Sequence, residues 1–222
     1  METIRVVVCG FEWYKDVEVN PSAEVCQTLA REGIIADKPE VNIEVTSVLI
    51  PLSFQKAWPT LKTTLDAIGP DIVIATGLKT HAQSILLERC ATNLIDANRP
   101  DADDAQPRRV PIILDGPQAY WTRLPLHAVI QRFAEDKIPA SLSSHAGTFV
   151  CNSLFYQLLH WADQSPRTLA GFVSLPLVNQ PHGYTPGMSL GRMVDAVRDV
   201  VKTAVHYRIK PMPTEILRRK AA

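Results

Sequence analysis

The stretch Ile4-Arg5-Val6-Val7-Val8-Cys9-Gly10 is a short, nearly continuous apolar run stopped by glycine. Such a run has no polar-apolar alternation, so it reads as a strand buried on both faces, the mark of a sheet covered by helices on each side. The neighbouring segments fit that reading. Asn20-Pro21-Ser22 supplies an N-cap and a proline suited to the first helical position. Val25 and Leu29, four residues apart, give that helix an apolar side, and Gly33 can end it. Val41 to Leu49 reads as a second strand, Ser53 to Ile68 as a second helix, and Asp71 to Ala75 as a third strand stopping near Gly77. Strands alternating with helices at this spacing imply βαβ units.

Further along, residues 97–109 carry three aspartates and two prolines and read as an exposed loop, after which Val110 to Leu114 resumes the sheet. From Phe149 to Trp161, the positions Val150, Leu154, Leu158 and Trp161 repeat with helical period, which puts Cys151 in the first turn of a helix. Phe172 to Leu175 reads as another strand, and Leu190 to His206 as the last helix. The expected fold class is α/β: three layers, a mostly parallel twisted sheet with helices on both faces, of the phosphorylase/hydrolase-like kind. Residues 1–210 are expected to form one domain and residues 211–222 a C-terminal tail.

Composition narrows the function classes. The chain has 222 residues, 46% hydrophobic and 21% charged, and its 23 basic residues balance 23 acidic ones. That balance favours neither a nucleic-acid nor a membrane partner. No apolar stretch reaches transmembrane length and no signal-peptide pattern opens the chain, so a cytoplasmic protein is expected. The four cysteines, Cys9, Cys26, Cys90 and Cys151, show no C-x-x-C pairing, which suits free thiols rather than a disulfide framework or zinc site. Neither G-x-G-x-x-G nor a P-loop is present, so no nucleotide site follows from the layout. No metal or organic cofactor is expected.

In a sheet of this kind, functional residues gather past the carboxyl ends of the strands. Gly10–Asn20, Gly77–Glu88, Ser143–Cys151 and the segment from Ser174 onward occupy that position. Cys151 is the candidate nucleophile, because a thiol in a first helical turn faces unpaired N–H groups that favour thiolate. The competing reading is a buried structural cysteine, and this is the reading for Cys9, Cys26 and Cys90. Glu88 follows Ile85-Leu86-Leu87, an odd place for a charge without a partner; the alternative is a surface glutamate paired with Arg89. Of six histidines, only His81, His145 and His182 fall in loops near these segments.

At these segments the chain resembles the pyroglutamyl peptidase I family of cysteine peptidases, from Val6 to about Val201. Asp115-Gly116-Pro117-Gln118-Ala119-Tyr120 is similar to that family's D-G-P-x-A-Y, and Ala146-Gly147-Thr148-Phe149-Val150-Cys151-Asn152 to its A-G-T-Y/F-x-C-N. Glu88-Arg89, with Ala91 and Asn93, matches E-R-x-A-x-N, while Gly10-Phe11 and Asn20-Pro21-Ser22 match G-F and N-P-S. The resemblance implies Cys151 as nucleophile, Glu88 as acidic triad member, Phe11 as one aromatic wall for a pyroglutamyl ring, and Asn20 near the lactam. It also implies a homo-oligomer acting on a small-molecule or peptide substrate.

The departures are specific. Where the family has its catalytic histidine in G-F-I/V-H-V/I-P, this chain reads Gly171-Phe172-Val173-Ser174-Leu175-Pro176. Tyr14 stands in place of the second aromatic wall and Trp13 in place of its proline. The G-x-x-G-G-R loop reads Gly77-Leu78-Lys79-Thr80-His81-Ala82, and position 145 is His145. The expected substrate-binding set is therefore Phe11, Trp13, Tyr14, Asn20, Leu78, Phe149 and Val150. His145 and His81 are the candidates to replace the imidazole missing at Ser174. Three functional readings remain: a cysteine hydrolase with a relocated histidine, a non-catalytic relative that binds a ligand or partner, and an ordinary pyroglutamyl peptidase.

Overall fold

The computed structural model describes residues 2–13, 19–165, 167–179 and 187–210. In chain order its elements are β1 (Glu2–Phe11), α1 (Pro21–Glu32), β2 (Val41–Ile50), α2 (Ala57–Ile68), β3 (Ile72–Leu78), β4 (Ile85–Glu88), β5 (Cys90–Thr92), β6 (Ala119–Trp121), α3 (Leu126–Glu135), β7 (Ala140–Ser143), α4 (Val150–Asp163), β8 (Leu169–Leu175) and α5 (Leu190–Ile209). Six strands form one sheet in the order β2-β1-β3-β8-β4-β7, and β5 and β6 form a separate pair. The expected tail at 211–222 lies outside the described residues.

β1, β2, β3 and β8 run parallel, while β4 pairs antiparallel with β8 and parallel with β7. The sheet is thus mostly parallel, and α/β layering is the observed architecture. Alternate side chains of β1 feed two different cores. Ile4, Val6 and Val8 pack with residues of α1, α3 and α5; Val7 and Cys9 pack with residues of α2 and α4. That is why the opening apolar run needs no alternation: both faces are dry. The topology reverses between β1 and β3, since β1 connects through α1 to β2 on one side while β3 lies on the other. A crevice opens outside the carboxyl ends of such a strand pair.

Local expectations hold at several ends. Asn20 caps α1 by accepting from Ser22 N at 3.1 Å, Pro21 is the first helical residue, and Gly33 ends the helix at φ 70°. Others need correcting. The second helix starts at Ala57, because Ser53 forms a turn whose hydroxyl accepts from Lys56 N at 3.0 Å. Val110 to Leu114 is not a strand: only Val110 bridges, to Ile95. Its backbone is held instead by Asn93, whose side-chain oxygen accepts from Ile112 N and Ile113 N at 2.8 and 2.9 Å. The 97–109 segment is not wholly exposed either. Asp101 is buried, and its carboxylate accepts from Phe54 N, Asp103 N and Ala105 N.

β1 presses against the start of α1. A Cβ on Gly10 would collide with the carbonyl of Ser22, which is backbone and cannot swing away. Gly10→Ala should therefore destabilise the protein by about 2 kcal/mol or more, as overpacking does. A fall in the urea unfolding midpoint at unchanged m-value would register it.

Candidate active site

Cys151 is the second residue of α4, after Phe149 as N-cap and Val150. The roughly 100° step between neighbouring helical positions sends the two side chains different ways. Val150 is fully buried in the core beside α2, whereas Cys151 opens into a cavity of about 310 Å³. Asn152, next in line, pins the helix start. Its amide donates to Thr92 O at 2.9 Å and Leu94 O at 3.0 Å, and its oxygen accepts from Thr92 N at 3.1 Å. Tyr156, one turn on, donates to Pro117 O at 2.7 Å. The segments around Glu88-Arg89, Asp115-Gly116-Pro117 and Cys151-Asn152 thus meet in one scaffold that fixes the thiol.

The cavity lies at the topological reversal. It is lined by Phe11 from β1, Leu78 from β3, Lys79 and Thr80 beyond it, Ser174 from β8, and Ala146, Gly147, Phe149 and Cys151 at the start of α4; Glu12, Asn20, Leu52, Asn98 and Arg99 complete it. Phe149 is braced edge-on by Phe54 at 5.2 Å, and the Arg99 guanidinium sits over its ring at 5.0 Å. Backbone approach at β3 is close. A Cβ on Gly77 would lie 3.0 Å from Cys151 Sγ and 2.7 Å from Phe172 Cζ, so glycine lets the strand pass directly under the thiol.

Glu88 reaches the site from within the sheet rather than from a loop. In the antiparallel register Glu88 sits opposite Phe172 and Leu86 opposite Ser174, so Glu88 lies two residues deeper than the rim. It is completely buried. Ser174 Oγ donates to its Oε1 at 2.7 Å, and Lys79 Nζ lies 3.5 Å from the same oxygen. Oε2 has no hydrogen-bond partner among the described residues. Arg89 does not pair with Glu88; its Nε donates to Ser144 Oγ at 2.8 Å. The surface-pair alternative for Glu88 is thereby removed.

Burial pushes the Cys151 thiol up to about 12, and the Glu88 carboxylate pushes in the same direction; Arg99, Lys79 and a backbone hydrogen bond oppose them. The balance of these effects favours the protonated thiol. Cys9 and Cys26 are fully buried, with thiols also raised by burial, Cys26 to about 12, and Cys90 is half-buried.

The expected residues divide clearly. Cys151, Ser174, Phe11, Leu78 and Phe149 share the cavity. Asn20 also lines it, but its amide is committed: Nδ2 donates to Phe11 O and Glu12 O, and Oδ1 accepts from Ser22 N and Ser22 Oγ. Asn20 holds the Phe11 wall in place. Among the described residues two expected contacts are not made: Trp13 is 54% exposed and does not line this cavity, and Val150 faces the core. His81 and His145 are both exposed, and neither lines the cavity. His145 enters the site only through its carbonyl, which accepts from Lys79 Nζ at 2.8 Å. Tyr14 and His182 lie outside the described residues. The charged lining residues Glu12, Lys79 and Arg99 are not in the expected set. A charged residue immediately after a buried strand, as Lys79 is after Leu78, was the available signal.

The pyroglutamyl peptidase family profile matches residues 4–207. The chain belongs to the pyroglutamyl peptidase family. It is similar to the pyrrolidone-carboxylate peptidase of Bacillus subtilis, 38% identical over 206 residues covering 91% of this chain and 93% of that protein. The pyrrolidone-carboxylate peptidase of Bacillus cytotoxicus is 36% identical over 204 residues, covering 90% of this chain and 92% of that one. Among solved structures, the pyrrolidone carboxyl peptidase of Thermococcus litoralis superposes with a TM-score of 0.87 at 31% identity, covering 94% of this chain and 96% of that chain. Pyroglutamyl peptidase I of Bacillus amyloliquefaciens gives 0.83 at 31% identity, covering 92% and 98%. Among the described residues no helix is long and apolar enough to cross a membrane, and no cluster of side chains is arranged to hold a metal.

Ser174→Ala removes the short hydrogen bond to a buried carboxylate without adding bulk. It should cost about 1–3 kcal/mol of stability, the usual range when a buried polar group loses its partner. Chemical unfolding of the variant against wild type measures this.

Proposed function

We propose that this protein is a cysteine hydrolase of the pyroglutamyl peptidase type, cleaving the amide bond that follows an N-terminal pyroglutamyl residue. The observation that carries this reading is the placing of Cys151 at the start of α4, opening into a cavity walled by Phe11 and Phe149. A flat, uncharged lactam suits apolar walls with few polar contacts. The named relatives, pyrrolidone-carboxylate peptidases over nine-tenths of their length, support the same substrate. The nucleophile attacks the carbonyl carbon and expels the amine, leaving a thioester that water hydrolyses.

The finer reading is an altered triad. Ser174 stands where the resemblance places an imidazole, and its hydroxyl is spent on Glu88. Serine neither carries positive charge beside a thiolate nor takes a proton at neutral pH, so turnover is slow and rises with pH as the Cys151 thiol ionises. The exposure of His81 and His145 argues against a relocated histidine from either loop. A second reading, a relative that binds pyroglutamyl ends without cutting them, is favoured by one observation alone, the strongly raised Cys151 thiol.

Release of fluorophore from a pyroglutamyl aminocoumarin tests both. The expected result is slow hydrolysis that increases from pH 7 to 10, disappears in Cys151→Ala, and rises about 10²-fold in Ser174→His, the lower range for general acid–base catalysis. Calorimetric binding of a pyroglutamyl peptide with no release in wild type would instead select the binding reading.

A further inference from the structure

Resting on that proposed activity, we infer that Lys79 has taken over the proton-transfer role at Cys151: its ammonium steadies the thiolate and donates the proton to the leaving amine. Lys79 is the first residue beyond β3, fixed by its N–H to Leu175 O at 2.8 Å. Its side chain stays 36% exposed but turns its ammonium toward the site. Nζ donates to His145 O at 2.8 Å and lies 3.5 Å from Glu88 Oε1, while the residue lines the same cavity as Cys151. An imidazole between thiol and carboxylate would bring a removable proton and, when protonated, a positive charge. Ser174 supplies neither. Lys79 supplies both, and it is the cation paired with the buried Glu88 carboxylate. The groups acting on Cys151 are Glu88, Arg99 and Lys79. Of the two cations, a guanidinium is effectively always charged, whereas an ammonium is the group that can pass a proton on.

The step balances. The Cys151 thiol loses its proton to solvent. The thiolate forms a C–S bond to the pyroglutamyl carbonyl carbon; the C–N bond breaks, and the departing nitrogen takes a proton from the Lys79 ammonium. Neutral Lys79 then takes a proton from a water molecule as its oxygen bonds the acyl carbon. The C–S bond breaks, returning Cys151 as thiolate and Lys79 as ammonium. The acid proton passes to the released amine.

The alternative is that Lys79 only neutralises Glu88, and two readouts separate the roles. The first is iodoacetamide alkylation at Cys151, resolved by peptide mass spectrometry across pH 7–10; the second is hydrolysis of the pyroglutamyl aminocoumarin. Lys79→Met should slow alkylation about tenfold at a given pH, the effect of roughly one unit of thiol pKa. Lys79→Arg should retain alkylation, since it keeps the charge, yet lose about 10²-fold in hydrolysis, since it cannot release the proton. Alkylation of Lys79→Met at the wild-type rate, or hydrolysis by Lys79→Arg at the wild-type rate, overturns the assignment. If Lys79→Met does not fold, Lys79→Gln replaces it with the same expectations. Should wild type hydrolyse nothing at any pH, the proposed activity falls and the proton-donor step with it. The alkylation arm then still decides whether Lys79 holds the thiolate.

Discussion

A carboxylate that is fully buried must be held by charge or hydrogen bonds, because its transfer out of water otherwise costs several kcal/mol. Glu88 is that group here. Its partners come from two other places in the chain, Ser174 on β8 and Lys79 just past β3, so satisfying one carboxylate ties three strand ends together. Lys79 extends the tie to the loop after β7 through His145 O. The same arrangement sets the electrostatics of the thiol. Burial and then Glu88 raise it, Arg99 and Lys79 lower it, and the Ser174 hydroxyl adds no charge. Ser174 thus gives Glu88 a hydrogen-bond partner while bringing no charge of its own.

Around this centre, most of the strongly patterned residues are scaffold. Asn152 and Tyr156 hold α4 against the β5–β6 pair and its preceding loop, Asn93 shapes that loop, and Asn20 both caps α1 and supports the Phe11 wall. Each uses all or nearly all its hydrogen-bonding capacity on backbone. They specify where Cys151 and the aromatic walls sit, not what happens between them. A chain can therefore keep the whole frame, and its family membership with it, while the chemistry at one position changes.

That division also explains how much of the molecule was legible in the sequence. β1, β3 and α4 were legible because unbroken apolar runs and a helical period carry their own signal, and Cys151 followed from its place in α4. β4 was missed: Ile85-Leu86-Leu87-Glu88 is four residues long, antiparallel to its neighbour β8, and ends in a charge that looks like a loop residue. β7, Ala140 to Ser143, is short and half polar. Trp13 is expected in the pocket from its place in the aromatic-wall motif, and Val150 from its place beside Cys151. Side-chain direction decides such contacts, and it sent one to solvent and the other to the core. His81 and His145 drew attention as residue types suited to catalysis, yet a loop position says nothing of where an imidazole points. Lys79 was passed over because a lysine after a strand ordinarily extends into water. The His145 carbonyl and the buried carboxylate two strands away turn its ammonium inward.

Burial and the Glu88 carboxylate favour the protonated Cys151 thiol, and the proposed slow, alkaline-dependent turnover rests on that protonation state. Thiolate absorbance near 240 nm, taken as the difference between wild type and Cys151→Ala across a pH titration, tests it most directly. The expected result is no thiolate signal at pH 7 and one that emerges only on the alkaline side, toward the value of about 12 that burial and Glu88 impose. A full thiolate signal at pH 7 would contradict it, by showing that a cation has already formed an ion pair with the sulfur.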